Sequence, residues 1–340
     1  MTEQPRVAVV GCGHWGKNIT RNLVELGALA GVVDPSEAGR IMAEKIAPGV
    51  PIHADLDPVL RDPNIHAVMV ATPPETHHAV ASRVLDAGKD VYVEKPLTTD
   101  VDEAEDLVAR AHRGDRVLMV GHILEYHPAI LRLHELIRDG ELGTLRYLTS
   151  NRLNLGRIRA EENALWSFAP HDISVILRLV GQMPFEVIAT GGSYVRANVA
   201  DVTVSQLLFD NGVRSHIYVS WLHPFKEQKL VVIGSQRMAT FDDVAKELKL
   251  YDLEVDHEEG QPVPRKVEGK LVSFPDAEPL REECAHFLDC VARRKRPRTD
   301  GWNGLRVLQI LQASQRSMIT NGSPILLNQD TLVGPAGDTP

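Results

Sequence analysis

At 340 residues the chain is too long for one ordinary core, and roughly 150 residues per domain makes about two domains the expectation. Hydrophobic residues at 43% and charged residues at 24% fit neither a disordered chain nor one made of membrane spans, and the longest apolar runs, such as Ala67–Ala71, are only strand-sized. Thirty-seven Lys and Arg against 46 Asp and Glu give a net charge of −9, which repels polyphosphate and counts against a nucleic-acid partner.

Cys12, Cys284 and Cys290 are odd in number and lack CxxC or zinc-like spacing. They read as free thiols of a reducing cytosol, with no metal site. The opening MTEQPRVAVV enters a strand-like run at once, without a signal-peptide pattern, so a cytoplasmic location is expected.

From Arg6 to His122 short β runs alternate with amphipathic helices. The expected strands are 6–10, 29–33, 66–71, 90–94 and 116–120, and the helices 14–26, 36–46, 75–87 and 100–111. Ile19, Leu23 and Leu26 fall at i, i+4 and i+7, one buried helix face. Such alternation predicts a Rossmann-type, doubly wound parallel sheet over residues 1–122. After His122 the texture changes. A helix over 128–138 and a strand over 145–153 precede a helix near 171–180. Strands follow over 185–197, 202–209, 213–221 and 229–233, with Asp210-Asn211-Gly212 as a hairpin signal. Helices over 279–293 and 302–320 close the chain. Residues 123–327 therefore read as a C-terminal α+β domain with a largely antiparallel, open-faced sheet, and 328–340 as a tail.

The strongest local motif is Gly11-Cys12-Gly13-His14-Trp15-Gly16, placed between a strand and a helix. The first glycine permits a tight turn and the second lets backbone amides approach a pyrophosphate. The third allows close helix–strand packing. Asp34 ends the second strand, 18 residues after Gly16, where a carboxylate accepts both ribose hydroxyls. That carboxylate would repel the extra phosphate of NADP, and Pro35 and Ser36 supply no cation, so NAD is the expected cofactor. Cys12 reads as a small spacer in the loop. Thr72-Pro73-Pro74-Glu75-Thr76-His77 follows the next strand at the sheet's carboxyl edge, and fits either a cofactor-side loop or a plain strand-to-helix turn. Glu94-Lys95-Pro96 ends the strand after that. A half-desolvated lysine there suits proton transfer, and the tripeptide alone fits a surface Lys95–Glu94 pair equally well.

In this order GxGxxG, Asp34, Ala71-Thr72-Pro73-Pro74-Glu75-Thr76-His77-His78 and Glu94-Lys95-Pro96, followed by long strands, resemble the glucose–fructose oxidoreductase/inositol dehydrogenase family over about residues 6–325. The resemblance implies that Lys95 is a catalytic acid/base and that His171 acts beside it. It implies cofactor contacts at Gly11, Gly13, His14, Trp15, Gly16, Asp34, Thr72, Pro73, His77, Glu94, Lys95 and His122. The family's Asp-x-Gly-x-His appears here as Ser167-Phe168-Ala169-Pro170-His171, so Ser167 stands where the family has its aspartate. Asp172 either replaces that carboxylate or caps a helix.

The segments 121–128, 151–159, 162–172 and 220–222 resemble the branch that oxidises carbon 3 of UDP-N-acetylglucosamine or its uronate ahead of 3-amino sugar formation. A nucleotide sugar is then the implied substrate, with Tyr126, Arg152, Asn154, Arg157, Arg159 and His171 as its contacts. Arg152, Arg157 and Arg159 concentrate positive charge in an acidic chain, as a diphosphate site requires, and also fit a salt-bridged strand and loop. Trp221 reads as core packing. The family also implies a homodimer or homotetramer formed through the C-terminal sheet. A 3-ketosugar reductase or an inositol dehydrogenase uses the same parts. A non-catalytic NAD-binding regulator would need neither Lys95 nor His171.

Overall fold

The computed structural model describes residues 4–156, 158–159, 162–253, 255–258, 261–265 and 267–327. The chain forms two compact units. The first runs up to Tyr126 and takes back Ala277–Leu308, and the second holds His127–Asp276 and the chain from Gln309.

In the first unit, β1 (Val7–Val10), β2 (Leu29–Val33), β3 (Ile52–His53), β4 (Ala67–Val70), β5 (Asp90–Glu94) and β6 (Leu118–Gly121) form an all-parallel sheet. Its order, β3-β2-β1-β4-β5-β6, is that of a doubly wound dinucleotide fold. Every residue of β1 and β4 is buried, as a sheet covered on both faces demands. Helices α1 (Gly16–Glu25), α2 (Glu37–Ile46), α3 (Asp57–Arg61), α4 (His77–Asp86) and α5 (Val101–Arg113) connect the strands. Ser36 Oγ accepts the Gly39 amide at 3.0 Å and so fixes the start of α2. The sequence pattern misses β3 and α3, which at two and five residues are too short to show a period.

The second unit is built on a nine-stranded sheet. Its strands are β7 (Leu145–Leu155), β8 (Glu186–Gly192), β9 (Val202–Leu208), β10 (Arg214–Ser220), β11 (Leu222–Gly234), β12 (Arg237–Asp242), β13 (Glu247–Asp252), β16 (Lys270–Val272) and β17 (Ile325–Leu326). A separate ribbon pairs β14 (Val255–Glu258) with β15 (Gln261–Pro264). In the order β16-β13-β12-β11-β7-β10-β9-β8-β17 only β7 and β10 run parallel. The expected hairpin joins β9 to β10, with Gly212 at φ +83°. β11 begins seven residues earlier than the apolar run Lys229–Ile233, because its first half, residues 222–228, mixes polar and apolar side chains that are exposed or only half-buried.

Helices α6 (Pro128–Arg138) and α7 (Ala164–Val180) pack on this sheet. α7 starts seven residues before the expected position, so His171 lies inside the helix and not at its N-terminus. An interior proline costs about 3 kcal/mol, and Pro170 is the reason to expect a later start. Burial of Leu165, Ala169, Ile173 and Ile176 along one face carries the helix through it. Asn163 Oδ1 caps the true start by accepting the Trp166 amide at 3.2 Å. Trp221 is fully buried, edge-on to Phe168, and its indole N–H donates to Asp201.

The expected linear boundary at residues 122–123 is corrected by α8 (Pro279–Arg293) and α9 (Gly301–Ile319). The first helix and the opening of the second belong to the first unit. Leu280, Cys284, Phe287, Leu288 and Val291 of α8 join Val9, Ile19, Tyr92 and Met119 in one buried cluster. A helix with so wide an apolar stripe must bury it, and no local sequence signal says against which partner. The tail 328–340 lies outside the described residues. Among those described, no helix is long and apolar enough to cross a membrane.

Phe287 has no exposed surface and stacks edge-on with Tyr92, ring centroids 5.9 Å apart. Phe287→Ala should cost about 3–5 kcal/mol in a denaturant melt. A loss below about 1 kcal/mol would place residues 277–308 outside the first unit's core.

Candidate active site

The first unit's site grows from close backbone approaches. Gly11 sits at φ +91°, and a Cβ there would lie 2.7 Å from Ala71 O. A Cβ on Gly16 would come within 1.8 Å of Gly11 O, so only glycine lets α1 start this close to β1. Gly13 differs: a Cβ there meets nothing within 4 Å, and Gly13, His14 and Trp15 are exposed. The loop thus leaves open space at the start of α1, where a helix N-terminus favours a phosphate. Asp34, nearly buried at the end of β2, accepts the Cys12 amide at 2.8 Å and the Ser36 amide at 2.9 Å. These residues fit a dinucleotide: a tight turn, an open amide cradle and a carboxylate at the next strand end. Cys12 is buried with its thiol pKa raised by burial, as a spacer would be.

Arg40 was not anticipated. Its guanidinium donates to the carbonyls of Asp34 (3.0 Å) and Pro35 (2.8 Å), placing a cation at the strand end that carries the Asp34 carboxylate. Its only sequence signal is a basic residue in the first turn of α2.

Thr72 and Pro73 follow β4 and are partly accessible and exposed, respectively. His77 has no exposed surface. Its Nδ1 lies 2.8 Å from Pro96 O and its Nε2 2.9 Å from Thr72 O, so it ties the Thr72 loop to the segment after Lys95. Burial lowers its pKa.

Glu94 and Lys95 are half-buried at the carboxyl end of β5, and the Lys95–Pro96 peptide is cis. Glu94 Oε1 accepts the Trp15 indole N–H at 2.6 Å and lies 2.8 Å from Tyr92 Oη, while Oε2 accepts the Lys95 amide at 3.2 Å. Through Trp15 the glycine loop and the lysine-bearing strand end are joined. His122, just past β6, is buried, and burial together with the Lys95 ammonium pushes its pKa down to about 3. It is therefore neutral across the physiological range.

Tyr126 also belongs to the first unit, where it is 1% exposed. Its hydroxyl lies 2.9 Å from Thr299 Oγ1, and Arg298 covers its ring at 4.8 Å. Expected as a substrate contact, it is a core residue here. Its place at the domain junction fits either a sugar contact or packing of the cleft wall.

The second unit holds the remaining candidates. His171 lies four residues after Ser167 on α7, so the two share a helix face. The adjacent Asp172 is neither a cap nor free: Arg152 grips it with Nε–Oδ2 at 2.9 Å and Nη2–Oδ1 at 3.1 Å, and Ser150 donates at 2.7 Å. The pair is almost fully buried, which commits Arg152 to Asp172. Gln228, its amide oriented to satisfy both neighbours, accepts from Arg152 Nη1 and donates to Asp243. Arg159 pairs with Glu162 at 2.6 Å and stays 45% exposed. Asn154 lies on β7, partly accessible. Arg157 lies outside the described residues.

The open Gly13 and the tightly packed Gly16 predict opposite outcomes. Gly13→Ala should fold with parental melting temperature and lose dinucleotide affinity, whereas Gly16→Ala should lose stability first. Calorimetric melts paired with binding titrations check both, and a destabilised Gly13→Ala would show the loop to be packed and not open.

Residues 5–122 match the oxidoreductase family with an NAD-binding Rossmann fold, and 130–240 match the C-terminal domain of the same family. The chain is 29% identical over 306 residues to the UDP-N-acetylglucosamine 3-dehydrogenase of Acidithiobacillus ferrooxidans, covering 89% of this chain and 94% of that protein. The solved structure of that Acidithiobacillus enzyme superposes with a TM-score of 0.82 at 27% identity, covering 93% of this chain and 98% of the other. The inositol 2-dehydrogenase of Mycolicibacterium smegmatis is 39% identical over 142 residues, 41% of each chain. Levoglucosan dehydrogenase, solved with NADH, shares the fold at a TM-score of 0.84 and 17% identity, covering 96% of this chain and all of the other. With the glycine cradle, Asp34 and Glu94-Lys95-Pro96 in place, the chain belongs to the Gfo/Idh/MocA family of NAD-binding oxidoreductases.

Proposed function

We propose that this oxidoreductase is an NAD-dependent dehydrogenase that oxidises the 3-hydroxyl of a UDP-N-acetylhexosamine, UDP-N-acetylglucosamine or its uronate, to the 3-keto sugar. The observation that carries this reading is similarity to a UDP-N-acetylglucosamine 3-dehydrogenase along nearly the whole of both chains. The reading includes a cytoplasmic enzyme that works as a homodimer or homotetramer through the second unit's sheet.

The cradle Gly11–Gly16, with Asp34, Thr72 and Pro73, holds the cofactor. Bound NAD supplies the hydride acceptor. Lys95, in its neutral form, takes the proton of the sugar hydroxyl, and Glu94 next to it stabilises the ammonium that results. His122 stays neutral and adds no second positive charge beside Lys95. His171 is the second titratable group of the reaction, on a helix held in register by the buried Asp172–Arg152 pair.

A free polyol substrate, as in an inositol dehydrogenase, is the second reading. It is favoured by the pairing of Arg152 and Arg159 with carboxylates, which leaves these two less charge for a diphosphate. Lys95→Met should leave NAD affinity nearly intact and lower turnover by roughly two to four decades. Turnover within a few-fold of the parent would make Lys95 structural.

The substrate class is tested separately by incubation with NAD and UDP-sugars, with mass spectrometry for the keto product. UDP alone should compete with the substrate. Replacing Arg157 and Arg159 by Ala should raise KM more than it lowers kcat, because a diphosphate is remote from the reacting carbon. Activity on a free polyol without UDP competition would select the second reading.

A further inference from the structure

Tyr92 Oη lies between two carboxyl groups, 2.8 Å from Glu94 Oε1 and 3.1 Å from Glu283 Oε2. A phenol carries one hydrogen, so it donates to one of them and must accept from the other. Were both carboxyls ionised, one of these short contacts would set two acceptors against each other in a dry interior. At least one proton therefore sits on a carboxyl of this group.

Its location follows from the donors available. Glu94 is half-buried and receives the Trp15 indole N–H and the Lys95 amide besides Tyr92. Glu283, on α8, has no exposed surface, and its Oε1 has no hydrogen-bond partner among the described residues. An anion there would be supported by nothing but a phenol already claimed by Glu94.

The groups facing Glu283 agree. β5 brings Tyr92 and Glu94, and the short helix Ile123–Tyr126 brings Glu125 and Tyr126. Next to it on its own helix, Cys284 faces Glu278 and Arg21 from α1, and Arg298, from the segment after α8, lies over the Tyr126 ring. Arg21 is bound to Glu278 and Arg298 donates to the Glu125 carbonyl, so neither cation serves Glu283. Burial first, and the Glu94 charge second, hold the Glu283 carboxyl well above the usual glutamate range.

We propose that Glu283 is a neutral carboxylic acid that donates to Tyr92, which turns the Tyr92 proton onto Glu94 and keeps a single carboxylate charge beside Lys95. This assignment rests on Lys95 being the acid/base of the reaction. Tyr92 and Glu283 are then positioning residues. They set how readily the Lys95 ammonium forms, and a helix 191 residues away in sequence takes part in the chemistry.

Three measurements that need no turnover test it. Infrared spectra at neutral pH should show a protonated-carboxyl stretch in the parent protein and in Lys95→Met, and lose it in Glu283→Gln. Its absence from the parent, or its persistence in Glu283→Gln, overturns the proposal. Stability gives the second readout. The folded state holds a proton that the unfolded chain releases above the ordinary glutamate range. The parent should therefore lose stability as pH rises from that range towards the raised folded value. Glu283→Gln should flatten that slope, and an unchanged slope overturns the proposal.

Third, in protein with 13C-methylated lysines, the Lys95 resonance is identified by its loss in Lys95→Met. Its titration midpoint should fall measurably in Tyr92→Phe, where Glu94 loses one of its three donors and its carboxylate is less firmly held as the anion. It should hold in Glu283→Gln, whose amide still donates to Tyr92. Equal midpoints in the parent and Tyr92→Phe overturn the positioning role. These results together with parental turnover in Lys95→Met would instead sink the catalytic reading of Lys95 and leave the proton assignment standing.

Discussion

The first unit depends on how closely α1 can approach the sheet. Gly16 would drive a Cβ into the Gly11 carbonyl, and Gly11 would drive one into the Ala71 carbonyl. Two missing methyl groups therefore let α1, β1 and the loop after β4 converge at one point. That point is the switch of the doubly wound sheet, where strand order reverses and a crevice opens. The carboxylate of Asp34 then reaches the Cys12 amide, and the Trp15 indole reaches Glu94. Loosening the approach would separate the cofactor cradle from the lysine-bearing strand end.

Buried charge is handled differently in the two units. In the second, Arg152 and Asp172 neutralise each other in fork geometry, with Ser150 filling a remaining acceptor position. Removing one partner of such a pair strands the other charge in a dry interior. In the first unit no cation among the described residues pairs with the buried Glu283, and the same electrostatic cost falls on its ionised form. One site keeps its charges by pairing them, and the other avoids a charge by retaining a proton. Both lie beside residues expected to take part in catalysis, His171 and Lys95 respectively.

What was legible in the sequence was what local periodicity and steric demand encode. Alternating apolar runs marked five of the six parallel strands, and the glycine spacing marked the cradle, because a backbone without a Cβ has no substitute at Gly11 and Gly16. Asp34 and Lys95 were visible as charged residues at strand ends, where a parallel sheet exposes its carboxyl edge. Asp210-Asn211-Gly212 announced its hairpin through the positive φ of Gly212.

Other features were decided by tertiary structure. α7 runs through Pro170 because buried contacts on either side outweigh the missing hydrogen bond, a balance no local rule contains. α8 belongs to the first unit because its apolar stripe finds Tyr92 and Met119, distant in sequence. Arg152 and Asp172 are 20 residues apart, Tyr92 and Glu283 are 191 apart, and their pairing follows from sheet order and helix placement. The sequence by itself determined which residues can bear the chemistry, through residue type and strand-end position. Only the fold decided which of them are already bound to one another, since that depends on which desolvated groups share a donor.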